Sequence, residues 1–218
     1  MKKLLTAAFS AALLFMAGCA DSDTGAVKDT TESFLKAEHE GNLDEATKYL
    51  TGDATDMFES REDMRADLKG YEDQGVSNET LDQFVDAQIK AYTMVWEDSK
   101  IDDVQVGDDT ATVLVTTKGI GMKDWENMTT SGLSAEVGSQ WMDDNMSRIE
   151  EYKSSHTEEE YMAWYLDQVV PVYAQELVSR LDAEPRQTTN YRFSLEKTDD
   201  GWKISNVEIG TLEESDDQ

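Results

Sequence analysis

The chain has 218 residues, 39% of them hydrophobic, and carries 47 acidic against 19 basic side chains for a net charge of −28. That length, with five Trp, eight Tyr and six Phe, can supply one sizeable core, which excludes disorder throughout. The acidity opposes contact with nucleic acid or anionic lipid through the folded part, and a single Cys excludes an internal disulfide.

At the N-terminus Lys2 and Lys3 precede the apolar run Leu4 to Met16, followed by the small residues Ala17 and Gly18 and then Cys19. A run that short cannot cross a bilayer, which takes about 20 apolar residues, so residues 1–18 read as a signal peptide. Met16-Ala17-Gly18-Cys19 resembles the lipobox of bacterial lipoproteins, with Met16 where Leu is usual. The resemblance implies cleavage before Cys19, acylation (palmitate-type) of its sulfur, and an extracytoplasmic chain anchored to the cell membrane. The other reading is a secreted protein with one stray cysteine, which would leave a reactive thiol at an exported N-terminus. Cleavage leaves 200 residues and removes two lysines, taking the net charge to −30. Ala20 to Gly25 is small and polar and reads, with Cys19, as a lipidated linker over 19–25 with a reach of at most roughly 20 Å. Asp21, Asp23, Asp29 and Glu32 fall at calcium-loop positions, but Gly25 and Ala26 stand where that loop needs a ligand and a glycine.

The first helix is expected from Ala26 to Glu40, with Val27, Phe34, Leu35 and Ala37 on one side, and a short helix over Leu43 to Leu50 follows the Gly41-Asn42 stop. Ser60 can cap a helix with Met64, Leu68 and Tyr71 on a narrow apolar face. Asn78 can cap another with Leu81, Phe84, Val85, Ile89 and Tyr92. The period then changes to two: Ile101–Val106, a Gly107-Asp108-Asp109 turn and Thr110–Lys118 predict a hairpin with Ala111, Val113 and Val115 on one face. One or two helices follow, on Leu133, Val137 and Trp141 and then Met142, Met146 and Ile149. Thr157 and Glu160 form a capping box for the longest helix, about Glu158 to Leu181, which Pro171 should bend or break near residue 167. A second hairpin places Tyr191, Phe193 and Leu195 on one face. After Ser205-Asn206 the apolar parity shifts to Val207 and Ile209, which predicts a β-bulge.

The fold class expected is therefore α+β: N-terminal helices packed on a curved antiparallel sheet built from two hairpins, with a long helical insertion between them. One domain is expected over 26–212, with an acidic disordered tail over 213–218. The Gly41 to Ala46 step, the Val104–Val113 hairpin, and Phe193–Lys197 with Asp200–Ile204 together resemble lipoproteins of the nuclear-transport-factor-2-like superfamily. The resemblance implies a cone of helices over a curved sheet. That fold hosts isomerases, dehydratases and non-catalytic binders alike, so function must come from a site.

No catalytic, cofactor or metal constellation stands out. His39 and His156 sit at element ends and read as solvated, with no Cys or close His to complete a zinc site. The aspartate pairs at 102–103, 108–109, 143–144 and 199–200 read mostly as turns. Tyr161, Trp164, Tyr165 and Tyr173, with Trp96, Tyr191 and Trp202, could line a ligand pocket, with Trp96, Tyr161, Trp164, Tyr165 and Tyr191 as its candidates; core packing is the simpler account. The reading favours a membrane-anchored module at the cell envelope that binds a small ligand or an envelope protein, without nucleic acid, over an enzyme. An isomerase- or hydratase-like alternative predicts a deep pocket holding a buried Asp or Glu near a Tyr hydroxyl. A structural or assembly alternative predicts an exposed apolar patch on helices between 125 and 182.

Overall fold

The computed structural model describes residues 20–130 and 132–210. The signal peptide over 1–18, Cys19 and the tail over 213–218 lie outside the described residues. Among the described residues the fold is α+β, with nine α-helices and one antiparallel sheet in the order β1-β2-β3-β4. Two compact units divide them: 20–60, 96–119 and 186–210 form the first, 61–95 and 120–185 the second.

In the first unit α1 (Ala20–Glu40) and α2 (Leu43–Ala46) accompany β1 (Asp98–Val106), β2 (Thr110–Gly119), β3 (Gln187–Thr198) and β4 (Gly201–Gly210). The linker reading of 20–25 is corrected, because α1 begins at Ala20. Acidic residues suit a first helical turn, and Asp23 is held by Lys197 of β3 at 3.0 Å, which fixes that turn against the sheet. Val27, Thr31, Phe34 and Leu35 are buried along α1, spaced so that one stripe covers the sheet. The period-two pattern of the strands does what it predicts: Ala111, Val113 and Val115, then Tyr191, Phe193 and Leu195, are buried on one face.

The expected bulge is present. Leu195 pairs with Ile204 but Ser194 pairs with Asn206, leaving Ser205 as the extra residue and restoring Val207 to the buried face. A second irregularity lies at Asp102, between the pairs Ile101–Val115 and Asp103–Leu114, so the pair 102–103 sits inside a strand and not in a turn. On the β4 edge, Leu50 bridges Ile204 in parallel, and Thr51 N–H donates to the Ile204 carbonyl at 2.8 Å. The opposite edge strand, β1, carries Lys100, Asp102 and Asp103 beside its irregularity, features that discourage pairing with another sheet.

The second unit is helical: α3 (Arg61–Asp67), α4 (Lys69–Asp73), α5 (Asn78–Thr93), α6 (Met122–Thr130), α7 (Leu133–Asp144), α8 (Met146–Lys153) and α9 (Glu158–Ala183). The helix expected on Met64, Leu68 and Tyr71 is broken at Leu68, and Tyr71 is 46% exposed, since three apolar residues make too narrow a stripe. The cap of α5 is Ser77 and not Asn78: its Oγ accepts from Thr80 N–H at 3.3 Å and donates to Asp167 Oδ1 of α9 at 2.9 Å. Thr157 and Glu160 form the expected capping box of α9. Of the bend or break expected at Pro171, no break occurs: α9 runs through it as one helix packed along α5, where Leu177 and Leu181 are fully buried. Phe84 stacks on Tyr173 at 5.8 Å in the same seam.

Of the residues on which one or two helices were expected, Met142 and Met146 are exposed; α7 ends at Asp144, so the α7 stripe does not carry across Asn145. Close packing marks α7 elsewhere. A Cβ at Gly138 would stand 2.6 Å from the Tyr165 hydroxyl oxygen of α9. Ala for Gly in mid-helix ordinarily stabilises by about 1 kcal/mol, whereas overpacking costs about 1–3 kcal/mol. Gly138→Ala is therefore expected to destabilise, and to become stabilising once Tyr165→Phe removes the oxygen. Urea unfolding of the two single variants and the double variant checks this, and equal destabilisation in both backgrounds would refute the contact.

Candidate functional site

On the first unit an open groove of about 540 Å³ lies between one side of α1 and the start of β1. Lys28, Glu32, Leu35, Lys36 and His39 line it from α1, at helical spacings of four, three, one and three residues that put them along one side. Trp96, Ser99 and Ile101 line it opposite, with the charged Glu97, Asp98 and Lys100 among them. Of the apolar residues along it, Ile101 is half-buried, and Leu35 and Trp96 lie beneath the floor, almost fully buried.

Several contacts fix these positions. His39 Nδ1 is 3.1 Å from the Trp96 carbonyl, which can only accept, so Nδ1–H donates and ties the end of α1 to the segment entering β1. This refines the reading of His39 as simply solvated, although the ring is exposed. Glu97 receives both ends of a guanidinium fork, Arg186 Nη2 at 2.6 Å and Nε at 2.8 Å, which holds the start of β1 beside the start of β3. Trp96 itself is 1% exposed. Its ring packs on Tyr191 at 4.9 Å and meets Phe34 edge-on at 6.4 Å, and Phe34 in turn meets Phe58 and Phe193 at 5.1 and 5.7 Å.

The five aromatics expected to line a pocket are not brought together in one unit. Trp96 and Tyr191 meet in the filled core of the first unit, whereas Tyr161, Trp164 and Tyr165 belong to the second. There Trp164 stacks on Tyr152 at 4.4 Å and 10°, Tyr152 stacks on His156 at 3.8 Å, and Trp141 meets both Trp164 and Tyr165 edge-on. Arg148 lies 5.3 Å from the Trp164 ring and Lys153 lies 3.9 Å from that of Tyr161. These ring faces join α7 and α8 to α9, which is packing work. The other two residues of the wider aromatic set, Tyr173 and Trp202, are buried in the second and first units respectively.

Sequence reading missed Glu38, a carboxylic acid only 1% exposed. The signal was present, since Glu38 follows Phe34 by four residues and Val27 by eleven, on the stripe that covers the sheet. It was read past because the chain is so acidic. Among the described residues no group of three or more His, Cys, Asp or Glu is placed to hold a metal ion, and no helix is long and apolar enough to cross a membrane.

Titration follows the packing. Burial pushes the Tyr191 phenol well up. Unfolded tyrosine ionises near pH ~10, so the stability this group contributes is complete below that pH and is lost as pH rises towards the raised folded value. On the acid side, Lys197 holds Asp23 low, Lys100 and then Thr116 hold Asp102 low, and Arg180 holds Glu136 low. Their contribution is present above about pH 4 and lost as pH falls through the depressed values. Thermal melting is thus expected to be flat from about pH 5 to 9 and to fall on both sides. Tyr191→Phe should flatten the alkaline fall and leave the acid one; an unchanged alkaline limb would refute the assignment.

With this geometry established, comparison with known protein families, curated proteins and solved structures finds no match at any level. The class that fold and site define is therefore the α+β unit itself, with an open groove beside its edge strand.

Proposed function

We propose that the protein is an extracytoplasmic lipoprotein, anchored to the cell membrane through an acylated Cys19, that binds a ligand in the groove between α1 and β1. The observation that carries the binding half is the open groove itself, of about 540 Å³, with Lys28, Glu32, Lys36 and His39 along one side and Ser99 and Ile101 on the other. The order of elements, five helices, a hairpin, four helices and a second hairpin, supports the resemblance to the nuclear-transport-factor-2-like superfamily. Against an isomerase- or hydratase-like activity stands the filled sheet face. Glu38 and Tyr191 are both buried in the first unit, but the rings of Phe34, Trp96 and Phe193 occupy the face that a substrate would have to enter.

The anchor is tested by fractionating cells that express the full chain and by mass analysis of its mature N-terminus. Membrane recovery and an acylated Cys19 are expected, and Cys19→Ala should move the protein out of the membrane fraction. An unmodified Cys19, or cleavage elsewhere, would refute the anchor.

A second reading, an envelope assembly role, is favoured by a separate observation: Met142, Met146, Met162 and Val172 are exposed on α7, α8 and α9, within the 125–182 stretch. Crosslinking from these positions in intact cells should then recover one envelope protein, and recovery equal to that of Cys19→Ala would count against it.

A further inference from the structure

We propose that Asn145 is an N-glycosylation site, the acceptor of one glycan delivered from a lipid diphosphate donor. This rests on the reading of the chain as exported, because such transfer takes place outside the cytoplasm.

Three asparagines open an Asn-x-Ser/Thr triplet with no proline between: Asn78 with Thr80, Asn127 with Thr129, and Asn145 with Ser147. The triplet serves as an acceptor only where the amide and the hydroxyl two residues on can turn to one side. Residues i and i+2 of a helix do not face each other, so a triplet locked in a helix is a poor acceptor. The first two are locked. Asn78 and Thr80 open α5, where Thr80 is 4% exposed, its hydroxyl lies 2.9 Å from Ser77 Oγ, and Asn78 Oδ1 accepts from Arg65. Asn127 and Thr129 lie inside α6, and the Thr129 hydroxyl donates to the Trp125 and Glu126 carbonyls at 3.0 and 3.1 Å.

Asn145 differs on each count. It separates α7 from α8 with φ −121° and ψ 19°, outside the helical region. Ser147 is exposed, and its hydroxyl makes no hydrogen bond among the described residues. It stands in the first turn of α8, where backbone N–H groups have no partner within the helix and the end frays most easily. The Asn145 amide donates one of its two N–H groups to the Trp141 carbonyl at 2.9 Å. The other is the one a glycan replaces: Nδ2 bonds to C1 of the first sugar, the bond from C1 to the diphosphate oxygen breaks, the lipid diphosphate leaves with that electron pair, and the transferase takes the Nδ2 proton. The bond to Trp141 can survive the exchange.

The flanks fit as well. Asp143 and Asp144 precede the asparagine and are exposed, and an acidic approach suits the cationic site that a transferase needs to hold a diphosphate. Met142 and Met146, 39% and 56% exposed, stand three residues before and one after it. A glycan on Asn145 would lie against them and cover part of the face that an assembly partner would otherwise need.

Two arms test this. In the first, the folded full chain is incubated with a purified bacterial oligosaccharyltransferase and a polyprenyl diphosphate-linked glycan, and intact mass and peptide mapping are read. Addition of one glycan at Asn145 is expected. Asn145→Gln and Ser147→Ala should each abolish it, Ser147→Thr should keep it, and Asn78→Gln with Asn127→Gln should leave it unchanged. No addition to the wild type, equal addition at Asn78 or Asn127, or addition that persists in Ser147→Ala overturns the site. In the second arm the Cys19 and Asn145 peptides of the protein from its own cells are mapped together. A glycan on Asn145 beside an acylated Cys19 is expected. Acylated Cys19 with a bare Asn145 overturns the modification and leaves the anchor standing, whereas an unmodified Cys19 with a bare Asn145 overturns both. Circular dichroism melting confirms that each variant is folded.

Discussion

Phe34→Ala is expected to lower the stability of the protein by about 3–5 kcal/mol, the range for removing a buried ring from a close-packed core. Phe34 is fully buried, and its ring meets Phe58, Trp96 and Phe193 edge-on, so the void would be bounded by rigid rings from three separate stretches of chain. Such walls relax poorly, which places the cost toward the upper part of the range. A domain of this size has about 5–15 kcal/mol in hand, and each kcal/mol shifts its melting temperature by roughly 2–4 °C. A fall of about 10 °C or more should be seen in a thermal melt. Phe34→Leu keeps much of the volume and loses the edge contacts, and should cost about 1–2 kcal/mol. A Phe34→Ala loss below about 1 kcal/mol would mean that α1 is not seated on the sheet as described.

Leu177→Ala is the matching expectation for the second unit, at about 2–5 kcal/mol. Leu177 is fully buried on α9, which packs along α5. Val172, on the same helix but 44% exposed, serves as the control, and Val172→Ala should stay within about 0.5 kcal/mol. Urea unfolding followed by far-ultraviolet circular dichroism separates the two. Equal effects at both positions would remove the basis for placing Leu177 in the seam with α5. Because α9 carries Pro171, one backbone bond is already missing from the helix, and its persistence must come from side-chain burial of this kind.

That same helix shows why parts of the fold were legible in the sequence and parts were not. A capping box is local chemistry, so Thr157 and Glu160 could be read directly, and the period of two in Ala111, Val113 and Val115 required only that one face meet a core. The parity change after Ser205 was equally local, since a strand that must bury both Ile204 and Val207 needs one extra residue between them. Whether Pro171 would break α9 could not be read from the sequence, because its cost is local whereas the packing that holds the helix together lies on α5. The start of α1 was placed six residues late because Ala20 to Gly25 has little helix preference of its own; the contact that holds it, Asp23 with Lys197, spans 174 positions of sequence. The groove was illegible for the same reason. Lys28, Lys36 and His39 have helical spacing, but nothing in the sequence says that Ser99 and Ile101 come to lie opposite them.

The early start of α1 changes what an anchor at Cys19 would do. A six-residue coil would let the first unit sweep over the bilayer at varying distance, whereas a helix that starts at the very next residue works as a ruler. Its 21 residues span about 30 Å, and the stretch from Lys28 to His39 lies roughly 13–30 Å along it from the attachment point. Those values cap the height of the groove above the lipid headgroups and narrow the band in which it samples. A membrane-tethered donor reaching that band would meet the groove at a raised effective concentration, and one held outside it would meet the groove far less often. Inserting flexible residues between Cys19 and Ala20 would turn the ruler back into a leash.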